Sequence, residues 1–485
     1  MPWPDKPLPV TESNTYPLTP KQPTPEQETV TKLREEGILV VFKTGAQEIA
    51  KLTTQVATTL RYFTDRDIVF FSDHQGSIGS FIIHDALRNV NQAVQSDNPD
   101  FDIYRAIKQY QATGRDIELL KEEDSKENDR DGWRLDKYKF IHMVEETFEL
   151  RPDAKWYVFM ETDTYMFWDN LVRWLKTLDH EKPTYLGSPA YVGDREFAHG
   201  GTGYVLSNAA MDLLVGPEQP QGLAASWDFR IQHEFYYGDF ALAMALLEKG
   251  IHVTAGDPYL CGYKPSSLPF GPNNRWCEPV VTVHHMRSHE INNVWRFERQ
   301  RERFQSKLPV TYASLYHHFV EPYLREHLNN WDNLSDDTTY TKVDDPEVKE
   351  DDKVDIHGQP DDSDNPDFDV SAGPMEYEET SRIDNGGLRR KNEYPSTNGL
   401  GGRSEGEKTH PYTSFEHCGK ACSEHEGCFQ YLHYDNTCKL RMSFSLGNYK
   451  APSSDGNVIW RSGWMVTRIK KWVEEHACEE HVWPD

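Results

Sequence analysis

Short apolar runs along this chain alternate with stretches whose apolar residues recur at helical spacing. Gly37 to Thr44 (Gly-Ile-Leu-Val-Val-Phe-Lys-Thr) reads as a buried strand, residues 46–62 as a helix, and Asp67 to Ser72 as a second strand. A helix is predicted from about Gly76 to Val90, then a polar loop with helical pieces over residues 91–130. Leu135 to Leu150 has helical periodicity that Pro152 stops. Trp156 to Met160 is another apolar strand, followed by a helix from Trp168 to Leu178, helices near Asn208 and over Ala241 to Lys249, and a strand at Val280 to Val283. Strands alternating with helices predict an α/β fold, a mainly parallel sheet with helices on both faces. Sites in such sheets lie at the carboxyl ends of strands. Trp464, Ile469 and Trp472 stand at near-helical spacing close to the carboxyl end, and no internal repeat is present.

Composition divides the chain further. Residues 1–30, rich in Pro, Thr and Glu, read as an extended stalk; 31–330 as the α/β domain; 336–410 as an acidic, disordered linker; and 411–485 as a cysteine-rich module with a final helix. The linker stretch holds roughly 21 acidic against 9 basic residues, part of a net charge of −27. That balance excludes a protein that grips nucleic acid through its phosphates. Four of the seven cysteines (Cys418, Cys422, Cys428, Cys438) fall within 21 positions. Such density in a small module means disulfides or a metal, and the absence of a Cys-x-x-Cys pair favours disulfides. Cys261 and Cys277 are a candidate further pair, which leaves Cys478 free, intermolecular or paired otherwise. Asn333-Leu334-Ser335 is a candidate N-glycosylation site, in keeping with an oxidising secretory compartment. No segment is long and apolar enough to cross a bilayer, and the first residues carry no signal-peptide core. Membrane attachment is therefore expected only through an N-terminal anchor outside this chain.

The candidate chemistry starts where the strand at Trp156 runs into Glu161-Thr162-Asp163. Two carboxylates two residues apart at a strand end suit a divalent cation that carries phosphates. Alone, such a motif is more often just a pair of solvated acids. His199-Gly200-Gly201-Thr202-Gly203-Tyr204 allows close approach of backbone to a ligand, or makes an ordinary turn. Asp239, at the start of a helix, is either a cap or a general base. His284, at the end of the strand Val280 to Val283, is a candidate metal ligand.

Taken in order, these residues resemble glycosyltransferase family 31, nearest its Fringe and core 1 β1,3-galactosyltransferase branch and its fungal members. The match runs over about residues 38–300: Lys43-Thr44, Phe71-Ser72-Asp73, Trp156 to Tyr165, Gly200-Gly201-Thr202-Gly203-Tyr204-Val205-Leu206-Ser207, Gly238-Asp239 and Val283-His284. The resemblance implies a GT-A fold, Mn²⁺ dependence, a UDP-sugar donor (galactose favoured) and inverting transfer of a hexose to a hydroxyl of a glycan or glycoprotein, giving a β linkage. By the same resemblance Asp163 and His284 bind the metal, Asp239 is the catalytic base, and Glu161, Thr44, Asp73, Lys139, Gly200 and Gly201 face the donor. The chain departs from the family in Glu161-Thr162-Asp163, where three aspartates are usual, and in Gly238, where an acid is usual. The cysteine-rich module resembles a PAN/Apple domain on Cys418-Gly419-Lys420-Ala421-Cys422, Gly427-Cys428-Phe429 and Cys438-Lys439-Leu440. That family's nested pairing would join Cys418 to Cys438 and Cys422 to Cys428. The location implied is the Golgi lumen, as a type II membrane protein or a secreted one. The competing readings are a glycan-binding protein with a degenerate transferase fold and a metal-dependent sugar-nucleotide hydrolase.

Overall fold

A computed structural model of the chain describes residues 23–120, 131–220, 222–272, 275–303, 308–342, 410–454 and 456–478. The α/β domain is built on strands β1 (Ile38–Lys43), β2 (Ile68–Ser72), β3 (Gly76–Ile78), β4 (Phe81–Asp85), β5 (Trp156–Glu161), β6 (Tyr165–Met166), β7 (Tyr185–Gly187), β8 (Pro189–Val192), β9 (Arg195–Ala198), β10 (Tyr204–Ser207), β11 (Val253–Ala255) and β12 (Thr282–Val283). Eight of them form one mixed, mainly parallel sheet in the order β11-β7-β10-β5-β1-β2-β4-β3, with β3 and β10 antiparallel to their neighbours.

β1 shows why both faces are covered. Every one of its six residues is buried. Leu39 and Val41 point into one apolar cluster, with the helices Asp102–Thr113, Lys139–Leu150 and Gly238–Glu248. Ile38, Val40 and Phe42 point into the other, with the helices Pro25–Glu35, Ile49–Ala57 and Trp168–Lys176. A strand buried on both faces reads as a continuous apolar run, which is what the sequence shows.

Two expectations need correction here. The helix predicted over Gly76 to Val90 is instead the hairpin β3–β4, turning at Gly79 with φ +56. Its burial alternates, with Phe81 and Ile83 inward and Ile82 exposed, so the period is two rather than 3.6. Residues 25–30, expected as stalk, lie in the helix Pro25–Glu35, capped by Thr24 and burying Val30 and Leu33. The helical pieces expected within residues 91–130 include the helices Gln92–Gln95 and Asp102–Thr113.

The second unit is a five-stranded antiparallel sheet, order β13-β19-β16-β17-β15, with the helix Phe415–Glu424 against it. Its strands are β13 (His327–Asn329), β15 (Thr338–Thr341), β16 (Gln430–Tyr434), β17 (Thr437–Arg441) and β19 (Arg461–Trp464); β14 (Trp331–Asp332) pairs separately with β18 (Asn448–Tyr449). Two edge strands thus come from before residue 342 and three strands from after 410. The module begins near 327, not at 411, and the start of the expected linker, residues 338–341, is strand. The rest of that expectation, 343–409, lies outside the described residues, as do residues 1–22.

Cys418 is bonded to Cys438 and Cys422 to Cys428, tying the helix to the sheet. The pair Cys261–Cys277 does not form. Cys277 is bonded to Cys478, and Cys261 is a buried thiol. A third apolar cluster, including Trp276, Tyr316, Phe444, Trp464 and Ile469, joins the module to the α/β domain beside that bond. The glycosylation site is also overturned: Asn333 is fully buried, its side-chain amide donates to the carbonyls of Tyr431 (3.1 Å) and Gly463 (3.3 Å), and Ser335 donates to its Oδ1. A glycan there would displace the centre of the module. Among the described residues no helix is long and apolar enough to cross a membrane.

The Cys277–Cys478 bond closes a loop across a sequence separation of 201 residues. Replacing both cysteines by alanine should lower stability by about 2–4 kcal/mol, through the entropy returned to the unfolded chain. Calorimetric unfolding of the double variant checks this, and peptide mass analysis should find Asn333 unmodified.

Candidate functional site

The register of the central strands assembles the site. Lys43 ends β1 directly opposite Glu161 at the end of β5, and its Nζ lies 2.9 Å from Glu161 Oε1. Lys43 also pairs with Asp136, which in turn lies 3.0 Å from Lys139 Nζ. Lys139 continues to Asp73, 3.5 Å away, and donates to the Thr44 carbonyl at 3.2 Å. Asp73 holds the backbone N–H of Ala46 at 2.8 Å. The result is one chain of alternating charges, Asp73–Lys139–Asp136–Lys43–Glu161, across the carboxyl edge of β2, β1 and β5.

Thr44 and Asp73, expected to face the donor, do come together. Lys139 is almost fully buried and held by two carboxylates and a carbonyl, so it shapes that corner rather than reaching out to a phosphate. Burial opposes the charge on Asp73, but Lys139, His74 and the Ala46 N–H together outweigh it, and the carboxyl is held well below its usual range. Lys43 is kept charged in the same way, burial being overcome by Asp136 and Glu161. Glu161 moves the other way: burial pushes it up to about 7, with Asp136 and Asp163 adding to the effect and Lys43 opposing it.

β5 ends at Glu161, and the turn that follows separates the two acids of the motif. Asp163 faces a different partner. β6 pairs antiparallel with β12, Tyr165 opposite Val283, so the residues before β6 meet those after β12. Met286 N–H donates to the Asp163 carbonyl at 2.9 Å, and His284 Nε2 lies 3.3 Å from Asp163 Oδ1. Ligand atoms of Asp163, His284 and His285 all fall within 4.8 Å of one another. Burial would raise Asp163, but His284, Lys51 and His285 hold it well below the usual carboxylate range. A carboxylate oxygen and imidazole nitrogens converging this closely fit a divalent transition-metal ion.

Gly201 packs on this cluster, where a Cβ would stand 2.3 Å from the His284 ring. Its carbonyl accepts from Thr164 at 2.6 Å, which fixes the loop to the acidic turn. Next to it, Gly200 N–H donates to Asp239 Oδ2 at 2.8 Å, and the His199 ring lies 5.5 Å from that of His284. Asp239 also accepts from the N–H of Phe240, in the first turn of its helix, so it partly fills the capping role. Burial raises its pKa above the ordinary value, against the opposing pull of His199 and the two N–H groups. Gly238, where the resembling family carries an acid, has no room for a side chain: a Cβ would lie 2.3 Å from Phe140 and 2.8 Å from Lys137 backbone.

No family model matches this chain, and no curated protein matches it. Among solved structures it is similar to the crystal structure of a glycosyltransferase involved in the glycosylation of the major capsid of PBCV-1. That similarity is 10% identity over 53% of this chain and 98% of the other, with a TM-score of 0.27. So loose an overlap decides nothing about chemistry, which rests on the side chains.

The structure therefore gathers Asp163, His284, Gly201, Gly200 and Asp239 at one place, and Thr44, Asp73, Lys139 and Glu161 along the charge chain beside it. Sequence reasoning missed three residues. His285 adjoins a candidate ligand but would point away on a straight strand. Asp136 carries no motif at all. Lys51 sits a turn into the helix after β1, 3.2 Å from Glu48 and close enough to stabilise ionised Asp163.

Gly201→Ala should leave the sheet intact and push His284 aside, so that a divalent ion such as Mn²⁺ offered to the candidate site binds about 10–100-fold more weakly than to the wild type, the usual cost of disturbing a group that supports a metal ligand. Electron paramagnetic resonance of free Mn²⁺ measures it.

Proposed function

We propose that this protein is a metal-dependent inverting glycosyltransferase that moves a hexose from a UDP-sugar to a hydroxyl of a glycan or glycoprotein. The observation that carries the proposal is the convergence of Asp163 and His284 on one point beside Asp239, at the carboxyl edge of the sheet. Asp163 and His284 would hold the cation, which when bound neutralises the diphosphate of the leaving group. Mn²⁺ is the ion, and galactose the sugar, favoured by the sequence resemblance.

The residues of the chain divide the work. Thr44 and Asp73, fixed by Lys139, form the corner that takes the uridine. Lys51 adds positive charge near the acidic turn, where the departing diphosphate gains charge. Glu161, anchored by Lys43, faces the sugar or ribose. Asp239 stands across the Gly200 loop and takes the proton of the acceptor hydroxyl as that oxygen bonds to the anomeric carbon. The bond to the phosphate oxygen breaks in the same displacement, UDP leaves with the electron pair, and the configuration inverts, so an α-linked donor gives a β-linked product. The three disulfides and the absence of a membrane-spanning helix among the described residues support a lumenal or secreted setting, with the Golgi as the proposed one. The cysteine-rich module fits a PAN/Apple-like role in holding the acceptor.

UDP release from a panel of UDP-sugars, with Mn²⁺ and with and without acceptor glycans, tests the proposal. Asp163→Ala should abolish Mn²⁺-dependent UDP binding by calorimetry, and normal affinity would sink the assignment. Asp239→Asn should retain donor binding and slow transfer by about 100–10,000-fold, the range general bases supply. Because burial raises Asp239, the acid limb of the transfer rate should lie above the ordinary aspartate value of about 3.9, with activity falling as pH drops through it. A pH-rate profile in Mn²⁺ buffer checks the position of that limb.

A further inference from the structure

We infer that His285 is a third protein ligand, so that the site takes a divalent transition-metal ion on the protein's own side chains before any nucleotide arrives. The inference rests on reading the Asp163 site as a metal centre, but not on glycosyl transfer. Consecutive residues on an extended strand point to opposite faces. His284 and His285 do not: their ring centroids are 4.0 Å apart, and both offer a nitrogen to the point shared with Asp163.

The backbone makes this possible. His285 has φ +58, a left-handed conformation that a side chain bearing a Cβ adopts at a cost. That twist follows directly on β12 and swings the second ring onto the face of the first. The chain is held there from the other side by Met286 N–H on the Asp163 carbonyl. Strained backbone that persists in a well-tied segment marks a functional constraint. The thing gained here is a second imidazole.

The chemistry of the donors sets the ion. One carboxylate and two imidazoles suit manganese, iron, cobalt or zinc, whereas magnesium keeps oxygen ligands and several of its waters. Asp163, His284 and His285 would together hold the ion on the protein, where it would supply positive charge to a nucleotide's phosphates arriving afterwards. The order of events is then ion first, nucleotide second.

The test uses the full chain stripped with chelator and titrated with Mn²⁺ alone, free ion being read by electron paramagnetic resonance. The wild type should bind one Mn²⁺ without UDP and discriminate against Mg²⁺. His285→Ala and His285→Gly should each weaken this binding by about tenfold or more, the least that losing a supporting group costs at such centres. Glycine accepts the left-handed backbone, so metal-free His285→Gly should melt no lower than the wild type. Wild-type Mn²⁺ affinity in His285→Gly would overturn the inference, as would a wild type that binds Mn²⁺ only with UDP present. A metal-free His285→Gly protein that melts lower would also count against it, because the ring would then be packing rather than ligating. Should Mn²⁺ bind as stated while no UDP-sugar is turned over, the transferase reading fails and this inference stands.

Discussion

Charge withdrawn from water must be matched by charge, and the carboxyl edge of this sheet is organised by that requirement. Two lysines and three carboxylates gather at the ends of β1, β2 and β5, at the end of the helix Asp131–Asp136 and at the start of the helix Lys139–Leu150. Each buried ion costs several kcal/mol of lost hydration, recovered only with good partner geometry. Alternation of sign along the chain supplies it: Asp136 serves both lysines, and each lysine serves two acids. Removing Lys43 takes from Glu161 its lysine, removing Lys139 takes from Asp73 its lysine, and Asp136 links the two pairs. The arrangement couples Asp73 to Glu161 through charge, without a covalent link between them.

The cluster of Asp163, His284 and His285 obeys a different constraint. Its parts come from residues more than a hundred positions apart, brought together by the two-residue pairing of β6 and β12. So short a ladder contributes little by itself. Its precision comes from what surrounds it, with Thr164 tied to the Gly201 carbonyl and Thr282 donating to the Thr202 carbonyl at 2.7 Å. The glycine-rich turn is thus the keystone between acidic turn and histidine pair.

Much of the fold was legible because it depends on periodicity. β1, β2 and β5 are apolar runs that can only be strands buried on both sides, and Pro152 marks a real end. The hairpin at Gly76 was lost because Phe81-Ile82-Ile83 offers apolar residues at both periods, and only the exposure of Ile82 settles which applies. In the site, Asp163, His284 and Asp239 were readable from motif and resemblance. Asp136 and Lys51 were not, since their roles are made by tertiary neighbours. His285 was hidden by a backbone dihedral that no spacing rule encodes. The pairing of Cys277 with Cys478 failed for a related reason: local spacing favoured Cys261, and only the docking of the final helix, Val466–Glu475, brings the distant partner near.

The five-stranded sheet takes strands from both sides of residues 343–409, and β15 lies beside the turn Pro411–Thr413 where the chain returns. The strands on either side of residues 343–409 therefore belong to one sheet. The halves flanking that stretch, 23–342 and 410–478, interleave as neighbouring strands and share the Cys277–Cys478 bond. Two fragments covering residues 23–342 and 410–478 would thus be held together by shared strand pairing and one disulfide, which makes this protein a natural candidate for assembly from separately expressed pieces.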